Sequence, residues 1–238
     1  MATRTKTQVM DLLKEHKNER GVANWKKLGK EKTAGLKSFG IGLAQLRKLA
    51  KNVGRNPKLA ATLWKSDTYD AKVIGLLIDD PKKITIEQAE QQVEQLHGGM
   101  LCHVFASCGA TLAKAPFAFE LACKWMDSED EVRRRCAYSL FYELSKKNVK
   151  GMDDAFLLDR IRHIHNSIHG EEMWVRESMM GALLGIGKRN KQLNRAAIKA
   201  AKAIGPVDID YGTDNSCEPV DVLKHLTSDY VRKKVDAA

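Results

Sequence analysis

The stretch WMDSEDEVRRRCAYSLFYEL (residues 125–144) predicts the end of one helix, a short acidic turn and a second helix. Asp130 or Ser128 can cap the second helix, because their side-chain oxygens can accept hydrogen bonds from its free N–H groups. Apolar residues recur along it at helical spacing: Val132, Cys136, Ala137, Leu140 and Leu144. At about 100° per residue, Arg135 and Lys146 lie on the side opposite this stripe. We therefore expect one face of the helix to pack and the other to be polar and basic.

The same pattern recurs in LWKSDTYDAKVIGLLI (residues 63–78) and EEMWVRESMMGALLGI (residues 171–186). A helix–turn–helix unit that recurs every few dozen residues predicts an all-α fold, an α–α superhelix of HEAT-like repeats that pack on their neighbours. An irregular helical domain is the alternative, since helical hairpins resemble one another. Tryptophans recur at the joints of these units, where we expect them to pack: Trp64, Trp125 and Trp174. We predict one repeat domain over residues 1–205, followed by an irregular tail over residues 206–238 with a short helix near residues 220–226.

Positive charge is concentrated near the N-terminus. Residues 1–65 hold 16 lysines and arginines against four acidic residues, whereas the whole chain carries a net charge of +10. Within this region, residues 43–53 form a clear amphipathic helix that carries Arg47, Lys48 and Lys51. Such an uneven distribution indicates an electrostatic contact with phosphates or another anionic surface. A lysine-rich solubilising surface is the alternative.

Other chemistries find little support in the sequence. No apolar run is long enough to cross a membrane, and the N-terminus does not have the pattern of a signal peptide. The odd number of cysteines, five, is typical of reduced intracellular thiols, and none stands in the sequence context of a catalytic nucleophile. His163, His165 and His169 lack a metal-binding phrase and are interpreted as surface histidines. We expect a cytoplasmic monomer with no metal, no cofactor and no membrane contact.

Two further helices present polar or small residues opposite their apolar stripes. Residues 100–113 are predicted to be one helix, with His103 and Lys114 on the side away from its core stripe. Residues 173–188 form another helix, which is expected to turn a second polar set outward: Glu177, Gly181 and Lys188. In a solenoid such faces line one concave surface, the usual place for an extended ligand.

Several phrases together carry a resemblance to a known family. They are FGIGLAQLRKLAK (39–51), LWKSDTYDAKVIGLLIDDP (63–81), PFAFELACKW (116–125), VRRRCAYSL (132–140) and IGKRNKQLNRAAIKAAKAIG (186–205). In this order and spacing the chain resembles the DNA alkylation repair proteins built from HEAT-like repeats, which include bacterial alkylpurine DNA glycosylases. The resemblance implies duplex DNA as the partner. It also implies hydrolysis of the glycosidic bond of N3- or N7-alkylated purines, with a carboxylate that stabilises the developing cation and aromatic rings that attract it.

The resemblance carries over only in part to individual residues. The family's arginine on the DNA backbone falls on Arg135. The catalytic aspartate falls on His103, and no acidic residue occurs from residue 97 to residue 114. Neither family tryptophan is present, since Gly99 or Met100 and, in the second case, Gly181 stand in their places. Glu177, one turn before Gly181, is the candidate replacement for the missing carboxylate.

The sequence therefore predicts a DNA-binding protein of this family, with excision of alkylated purines as the activity that the family implies. The candidate catalytic residues are Arg135, His103 and Glu177, and the candidate DNA-binding residues are Arg135, Lys146, Lys188, Arg47, Lys48, Lys51 and Lys114. The alternative is a catalytically inactive repeat scaffold that binds DNA or protein.

Overall fold

A computed structural model describes residues 4–96, 99–211 and 218–237, apart from the side chain of Glu31. Over these ranges the chain is helical and contains no β-strand, only one isolated bridge between Lys37 and Thr68. The all-α prediction is confirmed. The chain divides into two compact units, residues 1–118 and residues 119–238. No described helix is long and apolar enough to span a membrane.

The first unit is organised around a buried helix. Its helices are α1 (Lys6–Glu15), α2 (Glu19–Lys27), α3 (Lys30–Thr33), α4 (Leu43–Val53), α5 (Pro57–Trp64), α6 (Tyr69–Ile78), α7 (Ile86–Glu94) and α8 (Gly99–Ala106), followed by a short 3-10 turn (Leu112–Lys114). Helix α6 is buried at nine of its ten positions and packs on α1, α4, α5 and α8. Because α6 is mostly apolar and buried on all sides, it forms the core of this unit.

One acidic residue on α6 is an exception to this apolar character. Asp70 is fully buried, and its carboxylate accepts three hydrogen bonds from the glycine-punctuated turn before α4. The donors are the Ser38 hydroxyl at 2.8 Å, the Phe39 amide at 2.8 Å and the Ile41 amide at 3.2 Å. These bonds compensate for the loss of carboxylate hydration on burial. Asp70 therefore fixes the turn against the core of the unit.

The predicted helix over residues 100–113 is shorter in the structure. Helix α8 ends at Ala106, because the backbone turns left-handed at Cys108 (φ 57°) and Gly109 (φ 86°). The chain then anchors on the end of α6, where the Thr111 amide donates to the Leu76 carbonyl at 3.0 Å. The prediction that His103 and Lys114 share one helical face was therefore wrong.

The second unit contains the segment that decides the fold. Its helices are α9 (Ala118–Met126, beginning at the last residue of the first unit), α10 (Glu131–Leu144), α11 (Asp154–Ser167), α12 (Met173–Ile186), α13 (Lys191–Ile204), α14 (Val222–Leu226) and α15 (Asp229–Asp236), with a 3-10 turn after α11 (Ile168–Gly170). Asp130 caps α10 as predicted, since its side chain accepts a hydrogen bond of 2.8 Å from the Val132 amide. Helix α10 packs along α12, and α11 packs along α13.

The tail contains more helix than the sequence indicated. Helix α14 lies where a short helix was predicted, but α15 was not predicted. Ser228 caps α15, and Val231 and Val235 are its buried residues. Cys217 lies outside the described residues.

Two glycines of α12 predict opposite effects of the same substitution. A Cβ at Gly181 would meet no other atom within 4 Å, whereas a Cβ at Gly185 would lie 2.4 Å from the Ser145 hydroxyl and 3.0 Å from the Tyr142 ring. We expect Gly181→Ala to raise the free energy of unfolding by about 0.5–1 kcal/mol, because alanine loses less backbone entropy in a helix. We expect Gly185→Ala to lower it by about 1–3 kcal/mol through overpacking.

Chemical denaturation of the two variants and the wild type measures this difference directly. Each variant serves as the other's control, since the two positions lie one turn apart on one helix. Equal effects of the same sign would show that helix propensity alone, and not the close approach of α10 to α12, decides the outcome.

Candidate nucleic-acid interface

Arg135 lies in the packed interface of α10 and α12. It is 6% exposed. Its guanidinium lies over the Trp174 ring, 4.9 Å from the ring centroid, and one terminal nitrogen is 3.8 Å from a carboxylate oxygen of Glu177. Nearby, the hydroxyls of Ser139 and Ser178 meet at 3.3 Å across the same two helices. The helical wheel predicted a polar, basic face here, and the structure instead packs that face against α12.

The first residues after α13 complete this cluster. The Tyr211 hydroxyl donates a hydrogen bond of 2.9 Å to Glu177, and its ring meets Trp174 edge-on at 5.7 Å. We call Arg135, Trp174, Glu177 and Tyr211 the arginine cluster. It combines a cation, a carboxylate and two aromatic rings. The sequence indicated Arg135 and Glu177 but assigned Trp174 to packing, and nothing near Tyr211 in the sequence pointed to this role.

The other two arginines of the RRR triplet hold the start of α10 in place. Arg133 pairs with Asp130 at 2.7 Å. Arg134 pairs with Glu171 at 2.9 Å and also donates to backbone carbonyls of the preceding turn. These contacts are structural, and within the triplet it is the resemblance that marks Arg135 as the candidate for a ligand contact.

Two other lysines of the second unit act electrostatically on Lys188. Burial lowers the pKa of Lys188, and the positive charges of Lys234 and Lys146 lower it further. We call these three residues the lysine cluster. Lys146 pairs with Glu143 at 3.0 Å, but within the described ranges no carboxylate pairs with Lys188 or Lys234. Each nearby ammonium makes a further positive charge less favourable, so an anion placed here would relieve the repulsion.

Close packing of two helix ends builds this cluster. Lys146 follows the end of α10 and Lys188 follows the end of α12. Gly185 allows these ends to approach, and the Arg189 guanidinium donates to the Ser145 carbonyl at 3.0 Å and to the Lys147 carbonyl at 2.6 Å. Lys234 comes from α15, a helix that was not predicted from the sequence. Arg189 and Lys234 are therefore contributors that were missed.

In the first unit, the turn after α8 collects three of the predicted residues. Arg47 donates two hydrogen bonds, of 2.9 and 2.6 Å, to the Cys108 carbonyl. The His103 ring lies 3.1 Å from the Cys108 sulfur, and the Lys114 ammonium donates to the Gly109 carbonyl at 2.7 Å. Two other predicted cations remain exposed on α4: Lys48 and Lys51.

A family model matches most of this chain. The family described as DNA alkylation repair enzyme matches residues 9–213, which include Arg135, Lys146 and Lys188 but not Lys234. The chain belongs to this family. Membership confirms the resemblance based on the sequence phrases.

Two relatives share about a quarter of their aligned residues with this chain. The chain is similar to the uncharacterized protein Lin0241 of Listeria innocua, with 25% identity over 79% of this chain and 81% of the relative. It is also similar to the uncharacterized protein Lmo0209 of Listeria monocytogenes, with 24% identity over the same shares.

The fold also matches a solved structure. That protein belongs to a new family of proteins related to the HEAT-like repeat DNA glycosylases with affinity for branched DNA structures. The superposition has a TM-score of 0.81 at 21% identity and covers 98% of this chain and 96% of the other. The predicted HEAT-like-repeat fold is therefore confirmed for this member of the DNA alkylation repair family.

Over the described ranges, no group of three His, Cys, Asp or Glu residues could hold a metal ion. In the second unit, the carboxylate that pairs with Arg135 is Glu177, and it accepts the Tyr211 hydroxyl as well. Gly181 lies one turn further along α12, and a Cβ at this position would meet no other atom within 4 Å.

Proposed function

We propose that this member of the DNA alkylation repair family is a DNA-binding protein that recognises duplex DNA and its branched forms, acting as a monomer in the cytoplasm. The lysine cluster carries the proposal. Lys188 is half-buried beside two other ammonium groups, and in the described part of the chain no carboxylate neutralises it. A phosphate backbone supplies the closely spaced negative charges that such a cluster attracts. The branched preference is proposed from the solved relative, to which that affinity is attributed.

Cationic side chains of the first unit support the same proposal. Arg47, Lys48 and Lys51 extend along the exposed side of α4, and one turn of helix separates the first from the last. Phosphate contacts of this kind position a protein on DNA without reading its sequence. We therefore expect affinity that depends on charge and on DNA shape more than on base sequence.

The DNA contact that we propose for Arg135 requires the arginine cluster to rearrange first. The resemblance puts the family's backbone-contacting arginine at this position, but the Arg135 guanidinium is covered by Trp174 and paired with Glu177. A phosphate would have to compete with the Glu177 carboxylate for it. We propose that Arg135 contacts DNA after this exchange, and that the rearrangement loosens the Tyr211 contact.

Fluorescence anisotropy with a linear duplex and a four-way junction of equal arm sequence tests the binding proposal. Titrations between about 50 and 300 mM salt should give a log–log slope of about −0.9 for each phosphate neutralised, so that the three clustered lysines alone predict about −2.7. We expect tighter binding to the junction. A flat salt response, or no binding at low salt, would favour the protein-binding scaffold, and equal affinities would remove the branched preference only.

Alkylpurine excision is the second candidate, and the arginine cluster favours it. Glu177 and Trp174 both contact Arg135 and so supply a carboxylate and an aromatic ring. The resemblance puts groups of these two kinds at the positions of His103 and Gly181. The carboxylate is already shared by Arg135 and Tyr211, and the indole face is occupied by the guanidinium. Excision would therefore require the cluster to open around the lesion.

Single-turnover release of N7-methylguanine or N3-methyladenine from duplex DNA tests excision, with spontaneous depurination as the blank. Release above the blank that is lost in both Arg135→Ala and Glu177→Gln would establish the chain as an enzyme. Arg135→Lys is the matched control, since it keeps the charge but not the planar fork. Binding without release would support the DNA-binding proposal and reject excision.

A further inference from the structure

The turn that ends α8 places a cysteine beside a histidine. The left-handed backbone at Cys108 is uncommon for a residue with a side chain. In this conformation its sulfur lies 3.1 Å from Nε2 of His103 and 3.4 Å from the Ser107 hydroxyl, which also donates to the His103 carbonyl at 2.5 Å. His103 is exposed and Cys108 is partly exposed. The pair is therefore open to a small reagent from solution, although no sequence phrase marked this cysteine as a nucleophile.

Positive charge surrounds this pair. Arg47 holds the Cys108 carbonyl with two hydrogen bonds, and Lys114 holds the Gly109 carbonyl. Burial raises the pKa of the Cys108 thiol and is the largest single influence. The hydrogen bond from His103, its charge, the Ser107 hydroxyl and the charge of Arg47 together outweigh burial, so the pKa lies below that of an ordinary thiol.

The groups that face Cys108 from other helices do not oppose the lowering of its pKa. Tyr69 on α6 interacts electrostatically with Cys108. Burial raises the pKa of the Tyr69 hydroxyl far above the usual range, so this side chain stays neutral. Arg47 on α4 is a permanent cation. Cys123 provides a contrast within the same chain, since burial raises the pKa of its thiol.

We propose that Cys108 is a nucleophilic thiolate, held by His103, that accepts an alkyl group from electrophilic alkyl donors. In this step the sulfur attacks an sp³ carbon and a sulfur–carbon bond forms. The bond from that carbon to its leaving group breaks with its electron pair, so the leaving group departs as an anion. His103 keeps its proton, and the product is a neutral thioether. No oxidant or second cysteine is required, because thiolate character alone confers the reactivity.

Two sources could present such a carbon: a free alkylating agent or an alkylated phosphate of DNA. The chemistry at sulfur is the same for both, and the cations of the turn would favour an anionic leaving group in either case. This inference does not depend on the proposed DNA binding, since reaction with a free reagent needs no DNA. The two sources are separated by using one reagent of each kind.

Site-resolved alkylation of the full chain tests the proposal. Iodoacetamide labelling is followed by peptide mass spectrometry from about pH 5 to pH 10, which spans the ordinary thiol value of about 8.5. We expect Cys108 to react at least about tenfold faster than Cys123 at pH 7, with an inflection below the ordinary value. In His103→Asn the inflection should rise and the rate at pH 7 should fall. Cys108→Ser identifies the labelled peptide.

Equal rates at Cys108 and Cys123 in the wild-type chain would overturn the proposal, and this comparison needs no variant to fold. An inflection that does not move in a folded His103→Asn variant would also overturn it. A parallel incubation uses duplex DNA with one methyl phosphotriester. Methylation of Cys108 there would identify DNA as a donor, whereas reaction with iodoacetamide alone would restrict the donors to free reagents.

Discussion

Replacing Asp70 by alanine should lower the free energy of unfolding of the first unit by about 4 kcal/mol. The substitution removes three hydrogen bonds to a buried carboxylate and leaves the Ser38 hydroxyl and the Phe39 and Ile41 amides without their acceptor. Hydrogen bonds to charged groups contribute about 1.5–3 kcal/mol each, and orphaned buried donors add a desolvation cost. The loss should therefore exceed that of an ordinary surface substitution.

Urea denaturation followed by circular dichroism measures this effect. Asp67→Ala is the matched control: Asp67 also accepts hydrogen bonds, from Lys37 at 2.6 Å and from Thr68, but it is exposed near the start of the same helix. An exposed ion pair contributes little, because water screens it. A cost for Asp70→Ala as small as that of Asp67→Ala would show that the turn before α4 does not depend on this carboxylate.

Neutralising the lysine cluster should have the largest effect on DNA affinity. We expect the triple variant Lys146→Gln, Lys188→Gln, Lys234→Gln to bind duplex DNA roughly 30- to 100-fold more weakly at low salt. The salt slope should also become shallower by about 2.7, because each lost phosphate contact removes about 0.9 from it. Anisotropy titrations at several salt concentrations measure both quantities.

A second triple variant separates location from net charge. Lys14, Lys17 and Lys191 each pair with a carboxylate, at 3.1, 2.9 and 2.9 Å respectively. Changing these three to glutamine alters the net charge by the same amount but removes lysines that each pair with a carboxylate, whereas in the lysine cluster only Lys146 does. We expect a much smaller loss of affinity in this control. Equal losses in the two variants would assign binding to overall charge and remove the lysine cluster from the interface.

Local chemistry made some elements of this protein predictable. The limits of α4 and the Asp130 cap of α10 follow from neighbours a few residues away, since caps and apolar spacing act within one or two turns. The end of α8 did not follow in this way. Its apolar spacing continues from Leu101 through Cys108 to Leu112, so the periodicity showed no break. Contacts with α4 and α6 stabilise the turn, and these are distant in sequence.

The sequence by itself determined that the chain is all-α and belongs to the DNA alkylation repair family, because helix spacing and family phrases are local properties of the chain. Only the tertiary structure decided which polar residues meet. A helix with a second neighbour buries a second face, so Arg135 lies under Trp174 instead of facing solvent. The tail brings Tyr211 to Glu177, and α15 brings Lys234 towards Lys188. These contacts join residues that are dozens of positions apart, and spacing along the chain does not encode such pairings.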